Sequence, residues 1–276
     1  MKLVQNEKGL VEFPVLPQVL TELSVFNNQI TVVPEELWEK TMLEVLNISA
    51  NRIEEISSGI GRLTRLTMLD LGHNQIRRIP EEIGALKSLD SYLYLHNNRL
   101  ATIPASIGQL SKLKYLNLSM NQLGELPDSI GNLDQLIELK LEDNQLESLP
   151  DSLGQLSRLR ELQLQNNQLQ SLPVGLAIHP GLRYLNLESN SIKELPAGLT
   201  QVRELKLRNN QIQEIPTNIA NLQALRRLDL RGNPFNSLPQ ELRELQELER
   251  LDLRWCENLE VPGWLDQLGE NCIVYL

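Results

Sequence analysis

The side chains in this sequence that could do chemistry are few. Three histidines (His73, His96 and His179), two cysteines (Cys256 and Cys272) and five tyrosines stand among 276 residues. A nucleophilic triad would need Ser119 beside His96 and an acid such as Asp70, with donors for an oxyanion and exclusion of water. A metal centre would need His, Cys and carboxylates at ligand spacing, and no such cluster accompanies His73 and His96. No catalysis, metal or cofactor is therefore expected. Recognition is the other chemistry on offer. Tyr92, Tyr94 and Tyr115 fall close together with His96 and Met68, Tyr184 follows, and Arg208, Arg231 and Arg254 recur 23 residues apart.

Tyrosine brings a large contact area at low entropy cost and one polar handle, which is why it concentrates in binding hot spots. The alternative is plain strand propensity, since aromatics favour sheets. The arginines also carry two readings. They neutralise the interleaved Asp229 and Asp252 across a sheet, each exposed pair contributing about 0–1 kcal/mol. Otherwise they form a zone that steers an acidic partner segment. Trp255, beside them, would be an anchor or a cover for the last core layer.

The elements that must position these residues follow from one repeated stretch. Leu159 to Pro173 reads L-x-x-L-x-L-x-x-N-x-L-x-x-L-P. Its asparagine recurs at Asn28, Asn51, Asn74, Asn98, Asn121, Asn144, Asn167, Asn190, Asn210 and Asn233, mostly 23 residues apart. Within each L-x-L the leucines turn inward and the residue between them outward, as a period-2 strand requires. The spacing predicts strands from Leu23–Val25 to Leu251–Leu253, stacked in parallel over roughly 50 Å. Residues before, between and after each leucine pair are expected to be exposed, among them Ser49, Gly72, Ser119, Asn186 and Asp252. The asparagine can serve backbone groups that the turn leaves unpaired. Proline, at Pro80, Pro104, Pro127 and their counterparts, bars further strand pairing. The short glycine-bearing returns that follow predict helical turns or 3₁₀ pieces, bulkier than the strands, so the stack bends into an arc.

Departures from the template are specific. Ser57 replaces a proline, one residue is inserted near Asp90–Ser91, and the unit ending at Asn210 is three residues short, its return compressed into 197–201. His179-Pro180-Gly181 replaces a leucine-containing return, with His179 expected to shape that return. Cys256 takes an asparagine position as a buried substitute. The chain is read as one domain, 1–276: a partial first repeat or cap at 1–19, regular repeats at 20–261, and a C-terminal cap at 262–276. That cap comprises a short helix over 262–268 and an edge strand over 272–276.

Composition narrows the function. A formal net charge of −10 with no basic stripe argues against a nucleic-acid partner. No stretch approaches the roughly 18 apolar residues of a membrane span. Met1–Gln18 has no apolar run like a secretory leader, and two cysteines without clustered caps fit a reducing, cytoplasmic compartment. A monomer binding a protein is expected.

Self-similarity at this period with this leucine spacing is the leucine-rich-repeat signature. The chain resembles the 23-residue intracellular class, as in Scribble-family and Ras-pathway scaffold proteins and bacterial cytoplasmic or effector proteins. The resemblance implies an α/β solenoid, a curved horseshoe with a parallel sheet on its concave face. It also implies protein binding on that face, where the strand register, not the resemblance, puts forward Met68, Tyr92, Tyr94, His96, Tyr115, Tyr184, Arg208, Arg231 and Arg254 as the contact residues. The alternative it carries is the substrate-recognition part of a larger enzyme or effector, such as a ubiquitin ligase delivered to a host cell. A third reading is structural, through end-to-end or convex-side association.

Overall fold

The computed structural model describes residues 1–268 and 272–276. The chain forms two compact units, Met1–Asn144 and Gln145–Leu276. In the first, β1 (Lys2–Val4), β2 (Glu22–Ser24), β3 (Val45–Asn47), β4 (Met68–Asp70), β5 (Tyr92–Tyr94), β6 (Tyr115–Asn117) and β7 (Glu138–Lys140) run in parallel, in chain order. In the second, β8 (Glu161–Gln163), β9 (Tyr184–Asn186), β10 (Glu204–Lys206), β11 (Arg227–Asp229), β12 (Arg250–Asp252) and β13 (Ile273–Tyr275) do the same. This is the leucine-rich-repeat solenoid that the spacing predicts.

Each strand is only three residues long, because leucine pairs are inward for one step before the turn. The central leucine is buried throughout, as at Leu93, Leu116 and Leu228. Pairing is in phase: Leu93 opposes Leu116 and Leu228 opposes Leu251. The core of each unit is thus a stack of leucines and isoleucines, closed on its other side by the returns.

Those returns are 3₁₀ turns, as at Glu81–Ala85, Ala105–Gln109 and Thr217–Asn221, each entered from a proline. Where Ser57 stands for that proline, it keeps the extended backbone and its side chain accepts a hydrogen bond from Gly59 N. The return at Val174–Ala177 is a single α-helical turn, α1. Between β9 and β10 the shortened unit has no helical segment, only turns. The insertion before β5 is absorbed ahead of the strand, so Leu69 still opposes Leu93.

The asparagines act as the spacing predicts. Asn121 Nδ2 donates to Leu95 O in the preceding repeat and to Leu118 O in its own, both at 3.0 Å. Its Oδ1 accepts from Leu100 N at 3.0 Å. Asn210 makes the same three bonds to Leu187 O, Leu207 O and Ile192 N. Cys256 is buried, and its Sγ donates to Leu230 O at 3.3 Å, reproducing one donor arm of this arrangement.

The ends add one strand and reduce one helix. β1 pairs with β2, so the first repeat contributes a strand that the sequence pattern did not announce. The expected helix over 262–268 is a single 3₁₀ turn at Leu265–Gln267, and β13 pairs with β12. Residues 269–271 of the expected cap lie outside the described residues.

Candidate protein-recognition surface

Strand alternation sends two side chains of every strand to the solvent face, and in the first unit β5 and β6 place three tyrosines there, continued by His96 and His73 in the turns after β5 and β4. Tyr92 and Tyr115 stack with centroids 5.2 Å apart and planes 28° from parallel. Tyr92 meets Tyr94 at 5.3 Å, and Tyr94 meets the edge of His96 at 5.8 Å. His96 in turn packs edge-on against His73 at 4.7 Å. The result is one unbroken aromatic chain over β6 and β5 that ends at His73 in the turn after β4. Tyr92, at 38%, and His73 are exposed, and Tyr94, His96 and Tyr115 are half-buried. Offset and edge-on rings at these separations attract by about 0.5–1.5 kcal/mol a pair.

The same packing sets the polarity of the patch. Burial raises the Tyr94 hydroxyl's pKa, with Tyr92 and Asp70 adding to the effect. Burial lowers that of His96, and His73 beside it adds to the shift while Asp70 opposes it. His96 Nδ1 is buried without a partner, so the neutral ring sits in this stack as a largely apolar plate. It also covers Gly72: a Cβ there would fall 2.4 Å from His96 Cε1. Gly72 is therefore buried, where the strand pattern alone predicts exposure.

Four other face positions are corrected in the same way. Ser49, Ser119, Asn186 and Asp252 are all buried. An Asn or Asp between the two leucines bends back to accept from the backbone N two residues on. Asn117 Oδ1 takes Ser119 N at 3.0 Å and the Ser119 hydroxyl at 2.7 Å, and Asp70 Oδ1 takes Gly72 N at 2.9 Å. Ser119 is thereby committed to Asn117, and Asp70 to its own turn. The triad geometry of Ser119, His96 and Asp70 is not formed. Among the described residues, no group of three or more His, Cys, Asp or Glu is gathered to hold a metal.

The expected site residues divide between the two units. Tyr92, Tyr94, His96 and Tyr115 come together, with Met68 half-buried on the adjacent strand. Tyr184 lies in the second unit, where the Lys206 ammonium sits 5.2 Å from its ring centre. Arg208, Arg231 and Arg254 gather around Trp255, at 4.9, 5.6 and 5.8 Å from ring to guanidinium. Trp255 is 59% exposed, so it does not cover the last core layer. Tyr275 completes this group: Arg250 and Arg254 lie 4.6 and 5.1 Å from its ring. Setting Ile273-Val274-Tyr275 in phase with Arg250-Leu251-Asp252 would have placed Tyr275 on the same face.

The arginines neutralise the aspartates as the first reading holds. Arg231 Nε donates to Asp229 Oδ1 at 2.8 Å. Asp252 takes Arg254 at 2.7 Å and Arg250 at 3.2 Å, with Arg231 at 3.6 Å. Burial alone would raise the Asp252 pKa. Hydrogen bonds from Arg254 and Arg250 and the charge of Arg231 outweigh it and hold the carboxyl below its usual range.

The geometry agrees with what the chain is similar to. A family described as leucine rich repeat matches residues 18–76, 41–91, 157–212 and 200–257, and one described as leucine-rich repeat region matches 97–178. The chain belongs to the leucine-rich-repeat family. Among solved structures it is similar to a leucine-rich-repeat protein of Leptospira interrogans, at 26% identity and a TM-score of 0.55, covering 93% of this chain and 84% of that one. An internalin of Listeria monocytogenes matches at 25% identity and a TM-score of 0.70, over 93% and 80% of the two chains. The plant peptide hormone receptor RGFR1, solved in complex with RGF2, matches at 31% identity and a TM-score of 0.77. That match covers 92% of this chain but 44% of the receptor's, so the chain spans under half of it. No curated protein sequence gives a significant match.

Proposed function

We propose that this chain is a non-enzymatic protein-interaction module whose partner lies on the solvent face of β4–β6, centred on Tyr92, Tyr94, His96 and Tyr115. The observation that carries this reading is the unbroken ring stack on a strand face that contributes nothing to the leucine core. Rings already packed against one another lose little freedom on binding, so their area converts efficiently into affinity. The peptide-bound receptor among the similar structures supports a protein or peptide ligand for the fold. Both cysteines are free, which supports a reducing, cytoplasmic setting, and no helix among the described residues is long and apolar enough to cross a membrane. We take the working form to be a monomer.

The test is a paired substitution, Tyr94→Ala with Tyr115→Ala. Both side chains leave the core intact, so circular dichroism and the melting temperature should stay close to wild type. Proteins captured by wild type from native lysate should be lost or reduced at least about tenfold, the usual size of a hot-spot effect. Capture unchanged in a folded double variant would remove the patch from consideration.

A further inference from the structure

The position just before each ladder asparagine takes left-handed backbone. In the second unit it holds Asn166, Ser189, Asn209, Gly232 and Trp255, at φ of 57°, 55°, 53°, 65° and 61°. Glycine and small polar residues accept this conformation readily, whereas a bulky side chain is strained there. Trp255 is thus the bulkiest side chain at a position that other repeats fill with Asn, Ser, Gly, Ala, Asp, Glu, His or Met, and at 59% exposure it gains little burial in return. Strain held at an exposed aromatic points to a contact outside the chain.

Its surroundings say what kind. Arg208, Arg231 and Arg254 pack on the indole, and Arg254 continues to Tyr275. These guanidiniums are held by ring faces and also by carboxylates, Arg231 on Asp229, Arg254 on Asp252 and Arg208 on Glu188, so only the N–H groups those pairs leave over point elsewhere. Strands β10–β12 and their turns carry Lys206 and five arginines against Glu204, Asp229 and Asp252, with Glu188 after β9 reaching Arg208 at 3.2 Å as a fourth carboxylate. This local cationic excess sits in a chain of net charge −10. The acceptors present are already spent: Asp252 alone is shared by three arginines, and Glu188 is taken by Arg208. A guanidinium offers five donors and accepts none, so the belt has more N–H groups than its own carboxylates can meet.

We propose that this Arg–Trp belt docks an acidic peptide segment, its Asp or Glu side chains taking the N–H groups that Asp229, Asp252 and Glu188 leave unmet while its backbone lies against Trp255. Carboxylates match the planar fork in bidentate fashion. A phosphate backbone suits the belt less well, because Glu204, Asp229 and Asp252 interrupt the positive stripe and the whole chain repels a long polyanion. The belt shares no residue with the tyrosine patch, so either can fail without the other.

The test is fluorescence anisotropy with a labelled ten-residue peptide of alternating Glu and Val, at low salt, competed by a single-stranded oligonucleotide of equal charge. Wild type should bind the peptide saturably. Trp255→Asn relieves the backbone, so it should melt no lower than wild type yet bind at least about tenfold more weakly. Arg208→Gln should weaken binding similarly, while Tyr115→Ala should not. The proposal is overturned by absence of saturable binding, by wild-type affinity in folded Trp255→Asn, or by displacement of the peptide at lower concentrations of oligonucleotide than of unlabelled peptide.

Discussion

At the scale of single residues, His179 shows how a departure from the template can be legible in position and illegible in chemistry. The sequence marks it as a histidine where leucine is usual. The structure shows the ring buried, with Nε2 3.0 Å from Leu156 O and Nδ1 accepting from Gly181 N and Leu182 N, each at 3.1 Å. Those partners fix the tautomer: Nε2 carries the proton and Nδ1 must remain bare. Burial lowers the pKa first, with the Leu156 carbonyl opposing it. An unfolded histidine takes a proton near pH 6.5. In the window just below that, the unfolded chain binds more protons than the folded one, so stability rises with pH. His179 therefore contributes fully above about pH 6.5 and its contribution is lost as pH falls through the lowered folded value, with His96 adding a change of the same sign. His179→Leu should destabilise the protein at pH 7.5 by about 1–3 kcal/mol, because two N–H groups and a carbonyl lose their partner. It should also flatten the fall in urea midpoint between pH 7.5 and 5. A variant as stable as wild type at pH 7.5 would mean that the backbone turn relaxes without the imidazole.

At the scale of elements, most of the fold could be read from leucine and asparagine spacing, and the exceptions have physical causes. β1 escaped because Gln5 interrupts the leucine alternation and Lys8 stands at the asparagine position. The next repeat compensates: Asn28 Oδ1 accepts from both Lys8 N and Leu10 N, and its Nδ2 donates to Gln5 O. The tyrosine columns were legible because period-2 alternation fixes which way they face. The burial of Ser49, Ser119 and Asp252 was not, because it depends on side chains folding back onto their own turn or being covered from the next strand. Trp255's exposure and Tyr275's place beside the arginines depend likewise on packing at the end of the sheet. The ladder itself supplies a test at Cys256. The thiol donates to Leu230 O but has no oxygen to offer Phe235 N, the counterpart of the amides that Asn210 and Asn233 receive at Ile192 and Ile212. Cys256→Asn should restore that acceptor and stabilise the protein by about 0.5–1.5 kcal/mol. The check is a higher urea midpoint with unchanged slope; a lower midpoint would mean that the larger side chain does not fit beneath Trp255.

At the scale of the whole molecule, stability is distributed by neighbour, since each strand pairs only with the strands of adjacent repeats. A solenoid of this kind behaves approximately as a sum of repeat terms and interface terms, with no central core to tie distant repeats together. Damage should therefore spread a short way and then fade. Asn121 offers a clean place to apply it, because its side chain joins its own repeat to the one before through Leu95 O, Leu118 O and Leu100 N. Asn121→Ala should cost about 1–3 kcal/mol by leaving those buried groups unpaired. Native-state hydrogen exchange should then show faster exchange in the amides of β5, β6 and β7, while those of β10, β11 and β12 keep wild-type rates. Equal acceleration in every strand would show one cooperative transition in place of nearest-neighbour coupling. The distinction bears on recognition as well. If opening is local, the tyrosine strands can loosen without the arginine strands following, and Asn121→Ala should weaken capture through the tyrosine patch while leaving acidic-peptide binding at Trp255 at its wild-type strength.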